Sequence, residues 1–366
     1  MKRIIISVTN DLVSDNRVHK VATSLQNSGF EVFLVGRKLK NSPEISRKYK
    51  THRIRLIFNK SVLFYAEFNF RLFLFLFFHK VDILLSNDLD TLLPNFFVSS
   101  LKNRKLVYDS HELFTEVPEL IERPKVQKIW LKIERFCLPK IKYSYTVCQS
   151  ISDYYKEKYG IEMGVVRNIP FCEKIEKLTI QHDNKILLYQ GAVNIGRGLE
   201  EAVEAMQFLE GFELWIIGGG DIENQLKTRV KDLNLEEKVK ILGRKKLEEL
   251  AEYTNQADLG LSIEKNMGLN YYFALPNKIF DYIQAEIPIL CSDLPEMSRI
   301  IKNYNIGAIL ESHEPKKVAI QIKLIFENKS QFEIWTDNLK VAKKELCWQN
   351  EEKILLTYFG NFGSNS

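Results

Sequence analysis

The sequence predicts an α/β protein with two doubly wound, Rossmann-like domains that face each other across a cleft. Three observations support this prediction. The chain has 366 residues, which exceeds the size at which a single core stops growing. Short β-type runs alternate with amphipathic helical segments, as in parallel sheets covered by helices on both faces. The alternation restarts near residue 170, where the charge balance also changes.

The first half of the chain begins with a predicted strand at Arg3–Val8, followed by a helix at 15–28. One face of this helix is apolar, formed by Val18, Val21, Ala22 and Leu25. Ser14 or Asp15 can cap its start, and Gly29 ends it. Further strands are predicted at Glu31–Val35, Arg53–Ile57, Asp82–Leu85, Lys105–Tyr108 and Tyr145–Cys148. The helices between them are predicted at 62–79, 90–100, 124–137 and 151–159.

The same alternation returns in the second half. Strands are predicted at Lys185–Tyr189, Glu213–Ile217, Val239–Leu242, Leu259–Ser262, Ile287–Cys291 and Ala308–Leu310. Helices are predicted near 198–209, 221–233, 246–255, 276–285 and 294–302. Ligands of open parallel sheets bind beyond the carboxyl ends of the strands. The loops that follow these strands are therefore the candidate binding loops.

The two halves differ in charge. Residues 1–170 contain 28 Lys/Arg and 17 Asp/Glu, whereas residues 171–366 contain 24 and 30. The basic, aromatic-rich first half favours an anionic membrane surface or a phosphate-bearing acceptor. Nucleic acid is an alternative on charge alone, but no recognition motif accompanies the charge. The five cysteines are scattered without C-x-x-C spacing, which indicates reduced thiols in a cytosol.

The apolar segment Leu72–Phe78 raises the question of a membrane helix. A spanning helix needs about 20 apolar residues. This run is closed by His79 and Lys80, and it is interrupted upstream by Glu67, Asn69 and Arg71. Two interpretations remain open: a core helix packed under the sheet, or an apolar face that meets lipid or a lipid-linked acceptor.

Two glycine-rich turns follow predicted strands of the second half. The first, Gly191–Gly198, opens a helix and includes Gly196 and Arg197, and the second, Gly218–Asp221, includes Gly219. Glycines let the backbone approach an anion, and the free N–H groups of a helix start can bind it. Arg197 can bind a diphosphate through two hydrogen bonds. The first turn lacks the lysine and hydroxyl of a P-loop, which excludes an NTPase of that kind.

The stretch Leu275–Tyr282 is the most informative in the chain. Pro276 suits the first turn of a helix, and Asn277 and Lys278 follow it. A cation near the positive end of a helix is costly unless an anion is close, and a bound phosphate would supply one. Asp281 lies on the same side as Lys278 and could hold ribose hydroxyls. A surface ion pair between Lys278 and Asp281 is the alternative interpretation.

Three polar segments of the first half also follow predicted strands. His111 lies at the end of the strand at 105–108, where it could donate to a substrate hydroxyl or transfer a proton. A second segment contains the D-x-D pattern of Asp88 and Asp90. We interpret Asp90 as a helix cap rather than a metal ligand. The third segment could line the acceptor side or cap the first helix, and it contains Asn10, Asp11 and Arg17.

Taken in order, these segments resemble the retaining family-4 glycosyltransferases of the GT-B fold, over nearly the whole chain. The segments that carry the resemblance are Thr9–Arg17, Tyr108–Glu112, Arg167–Pro170, Gly191–Gly198, Gly218–Asp221, Leu242–Arg244, Pro276–Tyr282 and Ile287–Glu296. The resemblance implies an acceptor-binding domain at 1–170 and a nucleotide-sugar-binding domain at 171–346. It also implies a final segment, 347–366, whose helix at Trp348–Phe359 crosses back to the first domain.

The resemblance also implies roles for individual residues. Arg197 and Lys278 would bind the donor diphosphate, Asp281 the ribose, and Gly243 with Arg244 would lie near the base. His111 would contact the transferred sugar. Neither a metal nor another cofactor is expected, because two cations and the helix ends neutralise the leaving diphosphate. Transfer would retain the anomeric configuration.

The chain departs from the family pattern at several positions. The family often has two glutamates in the second half; Asp281 matches the later one, but Phe273 precedes it where a glutamate is expected. Glu264 or Asn270 is the candidate for the missing sugar contact. Ala192 stands where the family usually has arginine, and Glu286 where it has glycine. The glycine-rich first loop of the family is replaced by Asn10 and Asp11.

The sequence therefore predicts a hexosyltransferase-type enzyme that moves sugar from a UDP- or GDP-linked donor to a glycan or lipid-linked acceptor. It would work in the cytoplasm, peripheral on the inner face of the plasma membrane. Two alternatives remain: a nucleotide-sugar epimerase of the same fold, and a non-catalytic nucleotide-sugar-binding scaffold. The basic first half favours a transferase, which binds an acceptor, over the epimerase, which does not. The predicted phosphate-binding pair, Arg197 and Lys278, argues against a non-catalytic scaffold.

Overall fold

The computed structural model describes residues 1–13, 15–172 and 182–363. It contains two compact units, one formed by Met1–Asn168 with Glu351–Ser366 and the other by Ile169–Asn350. We call them the N-terminal unit and the C-terminal unit. The boundaries predicted from the sequence are residues 170 and 346.

The N-terminal unit is a parallel sheet flanked by helices. Its strands among the described residues are β1 Arg3–Asp11, β2 Glu31–Lys38, β3 Lys50–Arg55, β4 Ile83–Asn87, β5 Lys105–Ser110, β6 Tyr143–Thr146 and β7 Gly164–Val165. Its helices are α1 Asn16–Asn27, α2 Ser61–Phe78, α3 Leu89–Lys102, α4 Pro118–Ile121, α5 Pro124–Cys137 and α6 Gln149–Tyr159. The strand order is β3-β2-β1-β4-β5-β6-β7.

The C-terminal unit repeats this design. Its described strands are β8 Lys185–Gln190, β9 Phe212–Ile217, β10 Val239–Gly243, β11 Leu259–Ser262, β12 Ile289–Ser292 and β13 Gly307–Leu310, in the order β10-β9-β8-β11-β12-β13. Its helices are α7 Leu199–Ala205, α8 Glu223–Asp232, α9 Leu247–Thr254, α10 Leu269–Tyr272, α11 Asn277–Gln284, α12 Pro295–Tyr304, α13 Pro315–Glu327 and α14 Lys329–Glu345. A last helix, α15, spans Trp348–Gly363.

The apolar pattern explains why these segments become buried parallel strands. In β1, three consecutive residues, Ile4, Ile5 and Ile6, are fully buried, so both faces of the strand are covered. Helix α1 starts as predicted, because the side chain of Asp15 accepts a hydrogen bond from the N–H of Val18. The alternative cap, Ser14, lies outside the described residues.

Each sheet reverses its strand order at one point. In the N-terminal unit the reversal lies between β1 and β4, and in the C-terminal unit between β8 and β11. Connections leave in opposite directions from the two strands at such a point, which opens a crevice at their carboxyl ends. The loops that follow β1, β4, β8 and β11 are therefore the places to look for ligand-binding side chains.

Several local predictions were wrong. The strand predicted at Tyr145–Cys148 is β6, Tyr143–Thr146. The strand predicted at Arg53–Ile57 is β3, Lys50–Arg55, because an edge strand needs little apolar surface and its polar residues pair with β2. The strand predicted from Ile287 starts at Ile289. Asp90 is not a helix cap: α3 starts at Leu89, and the Asp90 carboxylate accepts a hydrogen bond from Thr9 in the interior.

Helix α15 belongs mainly to the N-terminal unit, since Glu351–Ser366 clusters with it. Phe359 and Phe362 are fully buried and form edge contacts with Phe30 and Tyr143 respectively. Its Glu351 carboxylate accepts hydrogen bonds from the backbone N–H and the guanidinium of Arg167, both at 2.8 Å. Apolar packing and an ion pair thus fix the end of the chain to the first sheet.

Glu286 occupies a position with a left-handed backbone, φ 58°, where the family resemblance implies glycine. We expect Glu286→Gly to be more stable than Glu286→Ala by about 1 kcal/mol, because only glycine adopts this conformation without steric cost. Both variants lose the same ion pair to Lys343, 3.1 Å away, so their difference isolates the backbone term. Urea denaturation of the two proteins measures it, and equal stability would contradict the assigned strain.

Candidate active site

The carboxyl edge of the N-terminal sheet collects charged side chains from distant parts of the chain. Asp88 follows β4, Asp109 lies in β5, and His111 follows β5. Arg17 comes from α1. All four meet at the point where the strand order reverses, which is the position predicted for a ligand site.

His111 is held between two carboxylates. Its backbone N–H donates to Asp88 at 2.8 Å, and its Nδ1 lies 3.1 Å from the other Asp88 oxygen. Its Nε2 lies 3.1 Å from Asp109 Oδ2 and 3.2 Å from Asn87 Oδ1. Burial opposes the charged ring, but Asp88 and Asp109 outweigh it and raise the pKa of His111 to about 10. The ring is therefore an imidazolium at neutral pH, suited to donating hydrogen bonds and not to accepting a proton.

The partner of Asp109 is Arg17. The Arg17 guanidinium donates to both carboxylate oxygens, at 2.7 and 3.2 Å, and to the carbonyl of Val166 at 3.0 Å. Burial opposes the charge of Asp109, but Arg17 and His111 together hold its pKa below the usual value. Arg17 is 5% exposed. Arg17 was a sequence-based candidate for the acceptor side, but its guanidinium is engaged in this internal ion pair.

The other two residues predicted for the acceptor side differ in exposure. Asp11 is buried and accepts hydrogen bonds from the N–H groups of Val13 and Leu39, at 3.3 and 3.2 Å. Asn10 is exposed, and its amide donates to Asp15 at 3.0 Å. Asn10 is therefore the member of this group whose side chain can meet another molecule.

Asp90 adds a titratable carboxyl beside His111. Burial and the charge of Asp88 raise the pKa of Asp90 to about 7, against the hydrogen bond from Thr9. Asp88 itself has a left-handed backbone, φ 55°. A non-glycine residue in this conformation indicates local strain that the surrounding contacts must compensate.

The C-terminal unit brings its two glycine turns into contact. The N–H of Gly191 donates to Ile217 at 2.9 Å, and the N–H of Val193 donates to Gly219 at 3.2 Å. A Cβ at Gly218 would lie 1.7 Å from the carbonyl oxygen of Gly191. Only glycine fits at residue 218, because φ is 149° and the two backbones touch.

Around these turns stand the predicted donor-binding side chains. The exposed Arg244 lies over Gly219, where an added Cβ would be 2.9 Å from its Nε. Gly196 lies beside Met267, and Asn277 is exposed as the first residue of α11.

Glu264 joins the two predicted phosphate-binding cations. This fully buried carboxylate accepts a hydrogen bond from Lys278 at 2.7 Å and lies 3.8 Å from an Arg197 Nη1. Burial lowers the pKa of Lys278 to about 8, although Glu264 favours its charged form. The predicted need for an anion beside Lys278 is met by Glu264. One carboxylate against two cations leaves the cluster with a net positive charge.

Two further observations bear on anion binding. The Nε of Arg197 is buried without a hydrogen-bond partner among the described residues, and its guanidinium lies 4.9 Å from the ring centre of Tyr271. The Lys278 Nζ lies 3.7 Å from the ring centre of Tyr189. Aromatic faces hold both cations in place, and Arg197 keeps a donor to offer to a ligand.

Asp281 is linked to the first glycine turn by a hydrogen bond from Gln190. The Gln190 amide donates to Asp281 at 2.7 Å, and its oxygen accepts from Thr254 at 2.8 Å. Gln190 is the last residue of β8, directly before Gly191. Asp281 and Lys278 thus both reach the end of β8, as their spacing predicts.

Sequence reasoning did not assign roles to Asp88, Asp109, Tyr189 and Gln190. Asp109 and Gln190 each end or adjoin a buried strand, and polar residues at such places signal a carboxyl-edge site. The aromatic partners of the two cations carry no comparable signal, because a tyrosine in a strand is ordinarily a packing residue.

Comparison with known proteins shows which families the two halves of the chain match. Residues 171–341 match the family model described as glycosyl transferases group 1, and residues 15–170 match the model described as glycosyltransferase family 4. The two matches adjoin in the chain. Together with the two Rossmann-like units they identify a glycosyltransferase of the GT-B type.

One curated relative and two solved structures illustrate the similarity. The amylovoran biosynthesis glycosyltransferase AmsK of Erwinia amylovora is 33% identical over 127 residues, 34% of this chain and 31% of the relative. The sucrose-phosphate synthase of Thermosynechococcus elongatus gives a TM-score of 0.81 at 16% identity, with 99% of each chain covered. The Anabaena protein HepE in complex with UDP-glucose gives 0.72 at 11% identity, covering 99% of this chain and 100% of that one. Such likeness confirms the predicted GT-B fold.

The raised pKa of His111 makes the stability of the N-terminal unit depend on pH. Protonation favours the folded state, so the stabilisation is complete below the ordinary pKa of about 6.5 and is lost as the pH rises through about 10. We expect the gap in melting temperature between the wild type and His111→Gln to narrow over this window.

His19 provides the matched control. Burial lowers its pKa, so its contribution changes with pH in the opposite direction. The difference in melting temperature between the wild type and His19→Gln should not narrow as the pH rises. If the difference in melting temperature between the wild type and His111→Gln stays constant, the His111 ring does not titrate between about pH 6.5 and about pH 10.

Proposed function

We propose that the protein transfers a sugar from a UDP- or GDP-linked donor to a glycan or lipid-linked acceptor, with retention of anomeric configuration. The observation that carries the proposal is the pair of cations, Arg197 and Lys278, gathered on Glu264 beside the two glycine turns. Family models that match both halves of the chain support it.

In this proposal the C-terminal unit binds the donor. Arg197 offers its unpartnered Nε and Lys278 its ammonium to the diphosphate. Asp281 accepts from the ribose hydroxyls, and the loop of Gly243 and Arg244 lies near the base. Gly191, Gly196, Gly219 and Asn277 line the approach. The Anabaena structure described above holds UDP-glucose, which agrees with a nucleotide-sugar donor.

We assign Glu264 a positioning role in place of the predicted sugar contact. Its carboxylate is fully buried and already accepts hydrogen bonds from Lys278 and from Ser262, at 2.7 and 2.9 Å. It holds the two cations where a diphosphate would need them. With two cations in place, the leaving diphosphate requires no metal.

In the N-terminal unit His111 acts as a charged hydrogen-bond donor to the transferred sugar, which replaces one of the two carboxylates, Asp88 or Asp109, that its ring N–H groups now face. About a fifth of the side chain, 19%, is exposed, so the ring is accessible. A pKa near 10 makes it unsuited to general-base catalysis at neutral pH. The exposed Asn10 remains our candidate on the acceptor side.

The acceptor is proposed to be a growing glycan, free or lipid-linked, and the site of action the cytoplasmic face of a membrane. The similarity to a relative named for amylovoran biosynthesis supports polysaccharide assembly. An epimerase of the same fold would bind the same donor without an acceptor, and a scaffold would bind it without turnover. Product analysis with donor alone and with acceptor distinguishes these outcomes.

Arg197→Ala and Lys278→Ala should each weaken the binding of UDP or GDP by about 10- to 100-fold, the effect of one charge-assisted hydrogen bond. Thermal shift without metal measures this, because a ligand that binds the folded state raises the melting temperature.

Arg229→Ala is the matched control for this test. Arg229 lies on α8 and pairs with Glu204 on the surface of the same unit, so its loss should leave the shift unchanged. Lys278→Ala also strands the buried Glu264 carboxylate and lowers baseline stability. Each shift is therefore measured against the same variant without ligand. If both site variants bind UDP and GDP as tightly as the wild type, Arg197 and Lys278 do not bind the diphosphate.

His111→Ala should leave nucleotide binding intact while lowering kcat about 100-fold, the loss typical of one preorganised donor. Binding is measured by thermal shift and turnover by release of nucleoside diphosphate. If binding and rate fall by the same factor, His111 does not act at the sugar.

A further inference from the structure

Helix α2 has two apolar faces, and the N-terminal unit covers one of them. The inner face is buried against the sheet through Phe64, Phe68, Leu72 and Leu76. The outer face is exposed at Phe70 (64%), Leu74 (37%), Phe77 (40%) and Phe78 (76%). Of the helices in the described ranges, α2 is long and apolar enough to cross a membrane, with 22% of it buried.

The exposed apolar surface continues onto two neighbouring helices, because α3 packs against both α2 and α5. On α3 it includes Phe97 (42% exposed) and Leu101 (66%), and on α5 Phe136 (44%). The rings of Phe97 and Phe136 are 6.3 Å apart. We call these residues together with Phe70, Leu74, Phe77 and Phe78 the aromatic patch. Its extent over three helices marks it as an interaction surface.

Helix α5, which carries Phe136 of the aromatic patch, is basic on its exposed side. The exposed side of α5 and the turn after it carry Lys125, Lys128, Lys132, Arg135 and Lys140. Between residues 124 and 140 the one acid is Glu134, which is 1% exposed and pairs with Lys158 at 3.0 Å. The positive charge of this surface is therefore not compensated by its own helix.

Two lysines, Lys140 after α5 and Lys102 at the end of α3, lie near rings of the aromatic patch. Lys140 Nζ is 3.7 Å from the ring centre of Phe136, and Lys102 Nζ is 5.6 Å from that of Phe77. Lys140 is exposed, and its side chain covers apolar carbon. The Lys102 ammonium is held at the end of α2 by the carbonyl oxygens of Leu76 and His79, at 3.2 and 2.8 Å. Apolar rings with cations at their edge match an interface between acyl chains and anionic headgroups.

Other occupants fit this surface less well. A second copy of the chain would pair the same patch with itself and bring the uncompensated lysines of the two α5 helices together. A membrane-spanning α2 would have to leave the sheet, exposing its buried inner face and the strands beneath it. An anionic bilayer matches both the charge and the apolar surface.

We propose that the N-terminal unit docks on the surface of an anionic membrane through the aromatic patch and the basic side of α5. Helix α2 lies in the plane of the interface and does not cross the bilayer. The patch lies on the outer faces of the helices, so docking leaves the carboxyl edge of the sheet, with His111, uncovered. The proposal is independent of which donor the C-terminal unit binds.

Vesicle flotation of the full-length protein tests the proposal. We expect it to float with vesicles of phosphatidylcholine and phosphatidylglycerol in equal parts, and not with phosphatidylcholine alone. Raising the salt should release it. The triple variant Lys128→Glu/Lys132→Glu/Arg135→Glu should lower partitioning by more than 100-fold, since each cation near such a surface contributes roughly fivefold. The variant Phe70→Ser/Phe77→Ser/Phe78→Ser should also fail to float.

Helix α13 of the C-terminal unit offers matched controls. It carries exposed lysines at Lys316, Lys317 and Lys323, and exposed apolar residues at Ile320 (49%) and Leu324 (57%). Charge reversal of the former, or serine at the latter, should leave flotation unchanged. Thermal shift by UDP or GDP, measured on every variant, separates loss of docking from loss of donor binding.

Three outcomes would overturn the proposal. Failure of the wild type to float with either vesicle would point to a protein partner. Conversion of a dimer to a monomer by the triple serine variant would assign the aromatic patch to contact with a second copy of the chain. Resistance of the bound wild type to high salt and alkaline carbonate would indicate that α2 spans the bilayer.

Discussion

The buried carboxylate of Asp109 is the interaction on which the N-terminal site depends. A lone charge in this position would be strongly destabilising, and removing one partner of such a pair costs about 3–5 kcal/mol. Arg17 and His111 compensate it from different segments, and Arg17 also binds the carbonyl of Val166. The need to neutralise one carboxylate thus joins α1, the ends of β4 and β5, and the segment after β7. His111 is charged because of this arrangement.

The C-terminal unit uses the same principle with the charges exchanged. Glu264, at the end of β11, draws together Arg197 from the turn after β8 and Lys278 from α11. The cations are ordered before any ligand arrives, so a diphosphate does not have to immobilise them. Because burial brings the pKa of Lys278 down to about 8, its charge is held only weakly. A bound anion would raise that pKa again, so binding and protonation of Lys278 support each other.

Much of the fold was predictable from the sequence because alternating apolar runs are local signals. The loops after β5 and β8 were predictable for the same reason, because polar residues near the end of a buried strand, such as Asp109 and Gln190, lead to the carboxyl edge. The predicted range of the edge strand β3 was wrong because pairing with β2 does not require apolar residues. Pairs such as Glu264 with Lys278, and Arg17 with Asp109, depend on where the chain returns in space. The left-handed backbone of Asp88 could not be predicted from its residue type either.

Net charge gives a misleading account of where anions bind. The second half of the chain is the acidic one, with 30 Asp/Glu against 24 Lys/Arg in residues 171–366, yet it holds the cation pair suited to a diphosphate. Distant surface charges are screened within about 8–10 Å in physiological salt, whereas buried cations act at contact distance in a medium of lower dielectric. The excess charge of the first half is different in kind. Its lysines on α5 lie on the surface, where they can act together on an extended, similarly charged partner. The two partners proposed for this chain, a diphosphate and a lipid bilayer, would therefore be bound by different arrangements of the same residue types.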